Sequence, residues 1–162
     1  RDPITLNLIP PAQDTDGDGL TDQQESVYSC MNPQVYDSNL DPDQDSLTGT
    51  VKINFDNMAE IVVGSNPCVA DSDGDGFRDA IEFYTDTDLR DNCSNGSTHA
   101  AWPPDFNNDK AVNIVDIGAI RPYFGSQVGN SNYSARYDLN ADGAINIIDI
   151  GALRPYFGRT CI

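Results

Sequence analysis

The sequence is poor in most of what an enzyme or a nucleic-acid binder uses. Among 162 residues there is one histidine, His99, and there are two lysines, Lys52 and Lys110. Nine basic residues stand against 26 acidic ones, for a formal net charge of −17. Such a chain lacks the positive face that nucleic acid or anionic lipid requires. No run of about 18 apolar residues occurs, which argues against a membrane-spanning helix. Apolar residues make up 38%, below the roughly 45–50% usual in a globular domain, so something besides a large core must hold the chain. The length allows one domain or two small ones. The chain starts Arg1-Asp2-Pro3 with neither initiator methionine nor leader, which suggests processing or excision from something longer. No Gly-x-Ser-x-Gly, His-Glu-x-x-His or phosphate-cradling glycine loop is present. The expectation is a protein that is not an enzyme.

Glutamate is also scarce. Only three of the 26 acids are Glu. A solvated acidic surface would mix the two types, whereas Asp is short, tolerates turns and suits a tight loop around a cation. Calcium takes 6–8 oxygens at about 2.3–2.6 Å, and a 12-residue loop of the EF-hand type supplies them from positions 1, 3, 5, 7 (a carbonyl), 9 and 12. That spacing recurs. The first loop offers Asp14, Asp16, Asp18, the Leu20 carbonyl, Asp22 and Glu25. The second offers Asp41, Asp43, Asp45 and the Leu47 carbonyl, is interrupted by the eight residues 49–56, and resumes with Asn57 and Glu60. The third offers Asp71, Asp73, Asp75, the Phe77 carbonyl, Asp79 and Glu82. All three glutamates therefore fall at position 12.

The C-terminal part is a duplication. Residues 105–125 and 138–158 are identical at 15 of 21 positions, at an offset of 33. The fourth loop offers Asp105, Asn107, Asp109, the Ala111 carbonyl, Asn113 and Asp116. The fifth offers Asp138, Asn140, Asp142, the Ala144 carbonyl, Asn146 and Asp149. Twenty of the 26 acids sit at these positions, and so many carboxylates packed without a cation would repel strongly. About five Ca²⁺ ions are expected, which would bring −17 to −7. Position 6 must turn sharply and favours Gly. Gly19, Gly76 and Gly143 satisfy this, while Ser46 and Lys110 predict weaker second and fourth sites.

The N-terminal loops, over roughly residues 14–92, resemble thrombospondin type 3 repeats of bacterial secreted proteins. The pair from Asp105 to Gly158 resembles a dockerin domain. The resemblance implies a mainly α fold with extensive loops: EF-hand-like loop–helix repeats in an elongated, calcium-filled stalk, then a compact two-repeat dockerin-like domain with approximate two-fold symmetry. It implies the segmentation 1–13 (arm or linker), 14–92 (repeats), 93–104 (linker) and 105–162 (dockerin-like). It also implies a secreted or cell-surface setting, a bacterial source, and a cohesin-like partner, as in the attachment of polysaccharide-degrading enzymes to extracellular scaffolds. Positions 10 and 11, often a hydroxyl pair in dockerins of cellulose-degrading complexes, are here Ile114-Val115 and Ile147-Ile148. With Arg121 and Arg154, each followed by a proline that shortens or kinks its helix, they form the expected partner-binding face. Val112, Ile117, Ile145 and Ile150 would fill the core between the halves.

Four cysteines in a small, core-poor chain suggest two disulfides and an oxidising compartment. Of three pairings, Cys30–Cys68 and Cys93–Cys161 are favoured, the second because the ends of a two-fold domain lie close together. Trp102, beside Pro103-Pro104, is expected to pack on the domain edge, and His99 to be an ordinary linker residue. Asn92, Asn95 and Asn132 fit the glycosylation pattern. Residues 4–9 alternate like a short strand and support an alternative reading: a self-assembling subunit of an extracellular fibre or surface layer, joined to copies of itself by that strand.

Overall fold

The computed structural model describes residues 12–93 and 100–161. The arm at 4–9, Asn95 and His99 lie outside these residues. Among the described residues five short helices follow the five loops: α1 (Asp22–Glu25), α2 (Asn57–Val63), α3 (Asp79–Thr85), α4 (Ile114–Ile120) and α5 (Ile147–Ala152). The eight-residue interruption of the second loop begins as the turn of a small antiparallel hairpin, β1 (Leu47–Thr48) and β2 (Lys52–Ile53), with Leu47 opposite Ile53 and β2 inside the interruption. A 3₁₀ turn (Ala135–Tyr137) leads into the fifth loop. The fold is mainly α, as expected, but each helix lasts two turns or less.

The helices are short for local reasons. α4 and α5 begin at reciprocal capping boxes, Asn113 with Asp116 and Asn146 with Asp149, which satisfy otherwise orphaned N–H groups. α4 ends at Ile120, with Arg121 as its cap and Pro122 next, where the chain turns before proline can clash. α2 ends on Gly64 in the left-handed region (φ 89°), the common helix stop.

The two C-terminal halves exchange their tails. Gly125 and Ser126, ending the first half, pair with Ile145 of the fifth loop (2.8 and 2.9 Å). Gly158 and Arg159, ending the second, pair with Val112 of the fourth (2.8 and 3.0 Å). This reciprocal pairing places Val112 and Ile145 at the centre, both fully buried, with Ile120, Leu139 and Leu153. Ile117 and Ile150 pack against that core from its partly exposed side.

Residues expected in stalk, linker and domain contribute to one core. Phe77, from the third loop, belongs to the same core as Trp102, Val112 and Ile145. Its ring stacks on Tyr156 at 5.2 Å between centroids. Residues 101–104 are buried, and Trp102 meets Tyr156 edge-on at 5.8 Å, so this stretch is a core element and not a linker. The reason is area: a Trp and its flanking prolines carry too much apolar surface to leave in water when a neighbouring aromatic can cover it. Arg136 fixes the segment by donating to the carbonyls of Pro103 and Asp105 while its guanidinium lies over Phe106. Disulfides join Cys30 to Cys68 and Cys93 to Cys161. The second ties the entry of the C-terminal part to the tail strand beside the fourth loop.

Candidate calcium loops and docking face

All five loops share the position-1 bonds, and the first, third, fourth and fifth also share those of positions 3 and 5. The position-1 carboxylate accepts N–H groups from the far side of the loop. Asp14 accepts from Gly17 (2.8 Å) and Gly19 (3.2 Å), and Asp71 from Gly74 (2.8 Å) and Gly76 (3.0 Å). Asp41 accepts from Gln44 and Ser46, Asp105 from Asp109 and Lys110, and Asp138 from Asp142 and Gly143. Position 5 then takes the N–H of position 7: Asp18 from Leu20 (2.9 Å), Asp75 from Phe77 (2.7 Å), Asp109 from Ala111 (2.9 Å), Asp142 from Ala144 (2.9 Å). Position 3 does the same for position 5 through Asp16, Asp73, Asn107 and Asn140. Alternate side chains are thereby turned inward.

Such curling needs left-handed residues. Position 4 has positive φ in every loop (Gly17, Gln44, Gly74, Asn108, Ala141), and position 6 in all but the second (Gly19, Gly76, Lys110, Gly143). Ser46 escapes that strain. Its hydroxyl instead accepts the Phe55 N–H at 2.8 Å and closes the inserted hairpin.

What the bonds leave over points to a cation. Glu25, Glu60 and Glu82 are wholly buried, and both oxygens of each lack a hydrogen-bond partner. So do both oxygens of Asp43, one oxygen each of Asp16, Asp73, Asp75 and Asp149, and Asn57 Oδ1. A buried, unpaired carboxylate is among the costliest groups a fold can hold. Burial first, then the neighbouring aspartates, push Glu25 up to about 7, Glu60 to about 9 and Glu82 to about 11. Asp45 rises to about 7 and Asp75 to about 8 for the same reasons. A divalent ion supplies the missing charge and coordination together, so the donor set fits calcium.

Position 9 has a hydrogen-bonding role in two loops. Asp22 accepts from the backbone and hydroxyl of Thr15 (both 2.8 Å), and Asp79 from those of Ser72 (2.8 and 2.6 Å). Both therefore tie the exit helix to position 2. In the fourth and fifth loops position 9 is the helix cap: Asn113 accepts from Val115 and Asn146 from Ile148. Asp116 closes the fourth loop with both oxygens on backbone N–H groups, of Phe106 and Asn113.

Two acids the spacing did not single out for these places complete the first and second loops. Oxygens of Asp18, Glu25 and Asp37 lie within 4.8 Å of one another, as do those of Asp45, Glu60 and Asp79. Further groups are formed by Asp14, Asp16 and Asp18 and by Asp41, Asp43 and Asp45, which share Asp18 and Asp45 with the first two, and by Asp71, Asp73 and Asp75. Asp37 is buried with one oxygen unpaired, and Asp79 arrives from the third loop.

The expected partner face is solvent-facing. Ile114 and Ile147 are 69% and 68% exposed, Val115 and Ile148 53% and 56%. Arg121 and Arg154 are exposed, as are Phe124 and Phe157. Two shallow grooves, of about 390 and 460 Å³, share Ile117 and Ile150 and end on Arg121 with Phe124 and on Arg154 with Phe157.

Comparison with known families agrees with this geometry. Residues 103–158 match the dockerin type I domain, and residues 14–27 and 71–88 match the bacterial TSP3 repeat. The second loop, with its inserted hairpin, lies outside the match. No curated protein matches the chain. Among solved structures, the chain is similar to a C-terminal interface mutant of a type II cohesin-X-dockerin complex from Acetivibrio cellulolyticus (34% identity, TM-score 0.32, covering 33% of this chain and 34% of that one). It is also similar to a type II cohesin-dockerin domain from Bacteroides cellolosolvens (34% identity, TM-score 0.30, covering 36% and 87%). Both families are calcium-binding, non-catalytic modules of extracellular proteins, and dockerins dock onto other proteins. The chain thus carries bacterial TSP3 repeats and, after them, a dockerin type I domain.

Proposed function

We propose that the chain is a calcium-stiffened, secreted docking module that attaches whatever protein bears it to a cohesin-like partner, without chemistry of its own. The observation that carries this is the exposure of Ile114, Val115, Ile147 and Ile148 on a backbone fixed by the capping boxes of Asn113 and Asn146. Apolar side chains on so rigid a support lose little entropy on docking, and each one fully buried contributes about 1.5–3 kcal/mol. Arg121 and Arg154 at the rim suit partner carboxylates. The test is calorimetry of the full chain in calcium against a panel of cohesins, beside the variant with all four apolar residues changed to Asp. Binding by the natural chain and its loss in a folded, calcium-loaded variant is the expected result. An unimpaired variant, or self-association in place of cohesin binding, would overturn the reading.

Calcium is proposed to be held by the five loops through the donors of positions 1, 3, 5, 7 and 12. In the first and second loops, Asp18 and Asp45 each belong to two neighbouring carboxylate groups. The residues of the second group would suit a further ion in each of these two loops, so the expected total rises from five to seven. Native mass spectrometry checks the count, and Asp37→Asn should remove one ion.

A further inference from the structure

The fourth and fifth loops are near copies in sequence, yet their surroundings differ. In the fourth, Asp109 and Lys110 at positions 5 and 6 are exposed. The fifth is gripped by the TSP3 half. Tyr84, on α3 leaving the third loop, donates to Asp138 Oδ2 at 3.1 Å. Tyr133 donates to the same oxygen at 2.5 Å, and the two hydroxyls touch each other. Thirty-three residues before Tyr133 stands Ala100, so the copy of this contact at Asp105 has no hydroxyl to make it. Gly143, at position 6 of the fifth loop, is buried. A Cβ added there would come within 2.9 Å of the Thr50 methyl, because the tip of the inserted hairpin rests on that backbone. From the other side, Tyr156, just beyond α5, donates to the Gly76 carbonyl at 3.2 Å and stacks on Phe77, positions 6 and 7 of the third loop.

These contacts run between elements that calcium would order. Tyr84 lies two residues beyond Glu82, the position-12 donor of the third loop, so closing that loop fixes the helix that carries the hydroxyl. Asp138 is the position-1 donor of the fifth loop and takes both tyrosine hydroxyls on one oxygen. We propose that the third and fifth loops are energetically coupled calcium sites, linked through Tyr84, Tyr133 and Asp138, while the fourth loop fills independently. The inference rests on the calcium reading above. Coupling of this kind is reciprocal: an ion in either loop raises the affinity of the other by the same factor. The TSP3 half is then a clamp that loads one half of the dockerin, and the two halves differ in calcium affinity despite their nearly identical loops.

The test uses the full, disulfide-bonded chain and follows the amide resonances of Gly143 and Lys110, the position-6 N–H groups of the fifth and fourth loops, during calcium titration. Glu82→Gln, which disables the third loop while keeping its shape, should weaken the affinity read at Gly143 by roughly 5–150-fold, the usual range of such coupling. The affinity read at Lys110 should stay within about two-fold. The variant Tyr84→Phe with Tyr133→Phe retains every donor to the ions. By itself it should also weaken Gly143 and spare Lys110, which keeps the proposal open to refutation if Glu82→Gln does not fold. Combined, the tyrosine changes should shrink the effect of Glu82→Gln at Gly143. Equal shifts at both amides, no shift at Gly143, or an undiminished Glu82→Gln effect in the tyrosine variant would overturn the coupling. Amides that ignore calcium altogether would overturn the calcium reading itself, and the coupling with it.

Discussion

The two ends of the molecule use one loop design but rest on different forces. In the TSP3 half, each loop closes with a buried glutamate whose oxygens have no protein partner. Among the described residues its buried apolar side chains are Leu20, Met31, Phe55, Phe77 and Ala80, and Phe77 belongs to the core of the other half. In the dockerin half, each loop closes with an aspartate that also completes a capping box, and the helices enclose Val112, Ile120, Leu139, Ile145 and Leu153. On the calcium reading proposed above, the same spacing would be the main adhesive at one end and a supplement to an apolar core at the other. What decides is how much of the position-12 carboxylate's hydrogen bonding the backbone already satisfies.

The largest expected contrast is between core and surface within the dockerin. Ile145→Ala removes a fully buried side chain and should cost about 2–5 kcal/mol. Ile114→Ala, at an exposed site in the other half, should stay within about 0.5 kcal/mol. Denaturant melts in calcium check this, and equal costs would break the division into core and docking face.

A second contrast appears with pH. In metal-free protein the carboxyls of Glu60 and Glu82 are raised from 4.5 to about 9 and about 11, by burial and then by neighbouring aspartates. A raised folded-state value means that the fold holds protons the unfolded chain releases. The stability this gives is fully present below about 4.5 and is lost as pH rises toward 9 and beyond. Metal-free protein should therefore melt lower at pH 8 than at pH 5. With calcium the order should reverse, because binding displaces those protons and strengthens as pH rises. Melting curves of dialysed and calcium-loaded protein test both signs.

The smallest effect sharpens the comparison of the two dockerin loops. Lys110 holds φ 73° where the fifth loop has Gly143 at 85°. A left-handed conformation costs an ordinary residue about 1–2 kcal/mol. Lys110→Gly should lift that strain and remove a cation near the ion, tightening the fourth site several-fold. Calorimetry showing equal or weaker binding would contradict this.

Much of this was legible in the sequence, because it is local. The position-1, 3, 5 spacing, the glutamates at position 12, the 33-residue duplication and the favoured cysteine pairing all lead to features of the structure. What escaped comes from between the units. Asp37 returns to the first loop from beyond its exit helix, and Asp79 reaches from the third loop to the second, and no spacing within one loop reveals that. Trp102 read as an edge residue because its partners, Phe77 and Tyr156, are 25 and 54 positions away. The grip of Tyr84 and Thr50 on the fifth loop is equally non-local. One missed feature did leave a trace: a hydroxyl residue at position 2 with Asp at position 9, as in Thr15 with Asp22 and Ser72 with Asp79, marks the tie that fastens the exit helix to position 2.

The central claim, that ions hold the TSP3 half while an apolar core helps to hold the dockerin half, is tested most directly by amide hydrogen exchange of the full chain before and after chelation. Each site filled at 100–1,000 times its dissociation constant contributes about 2.7–4.1 kcal/mol. Emptying the loops should therefore remove protection throughout α1, α2 and α3. Protection should persist around Val112, Ile120, Ile145 and Leu153, where the core and the Cys93–Cys161 disulfide remain. Undiminished protection of α1 to α3 in excess chelator would contradict the account.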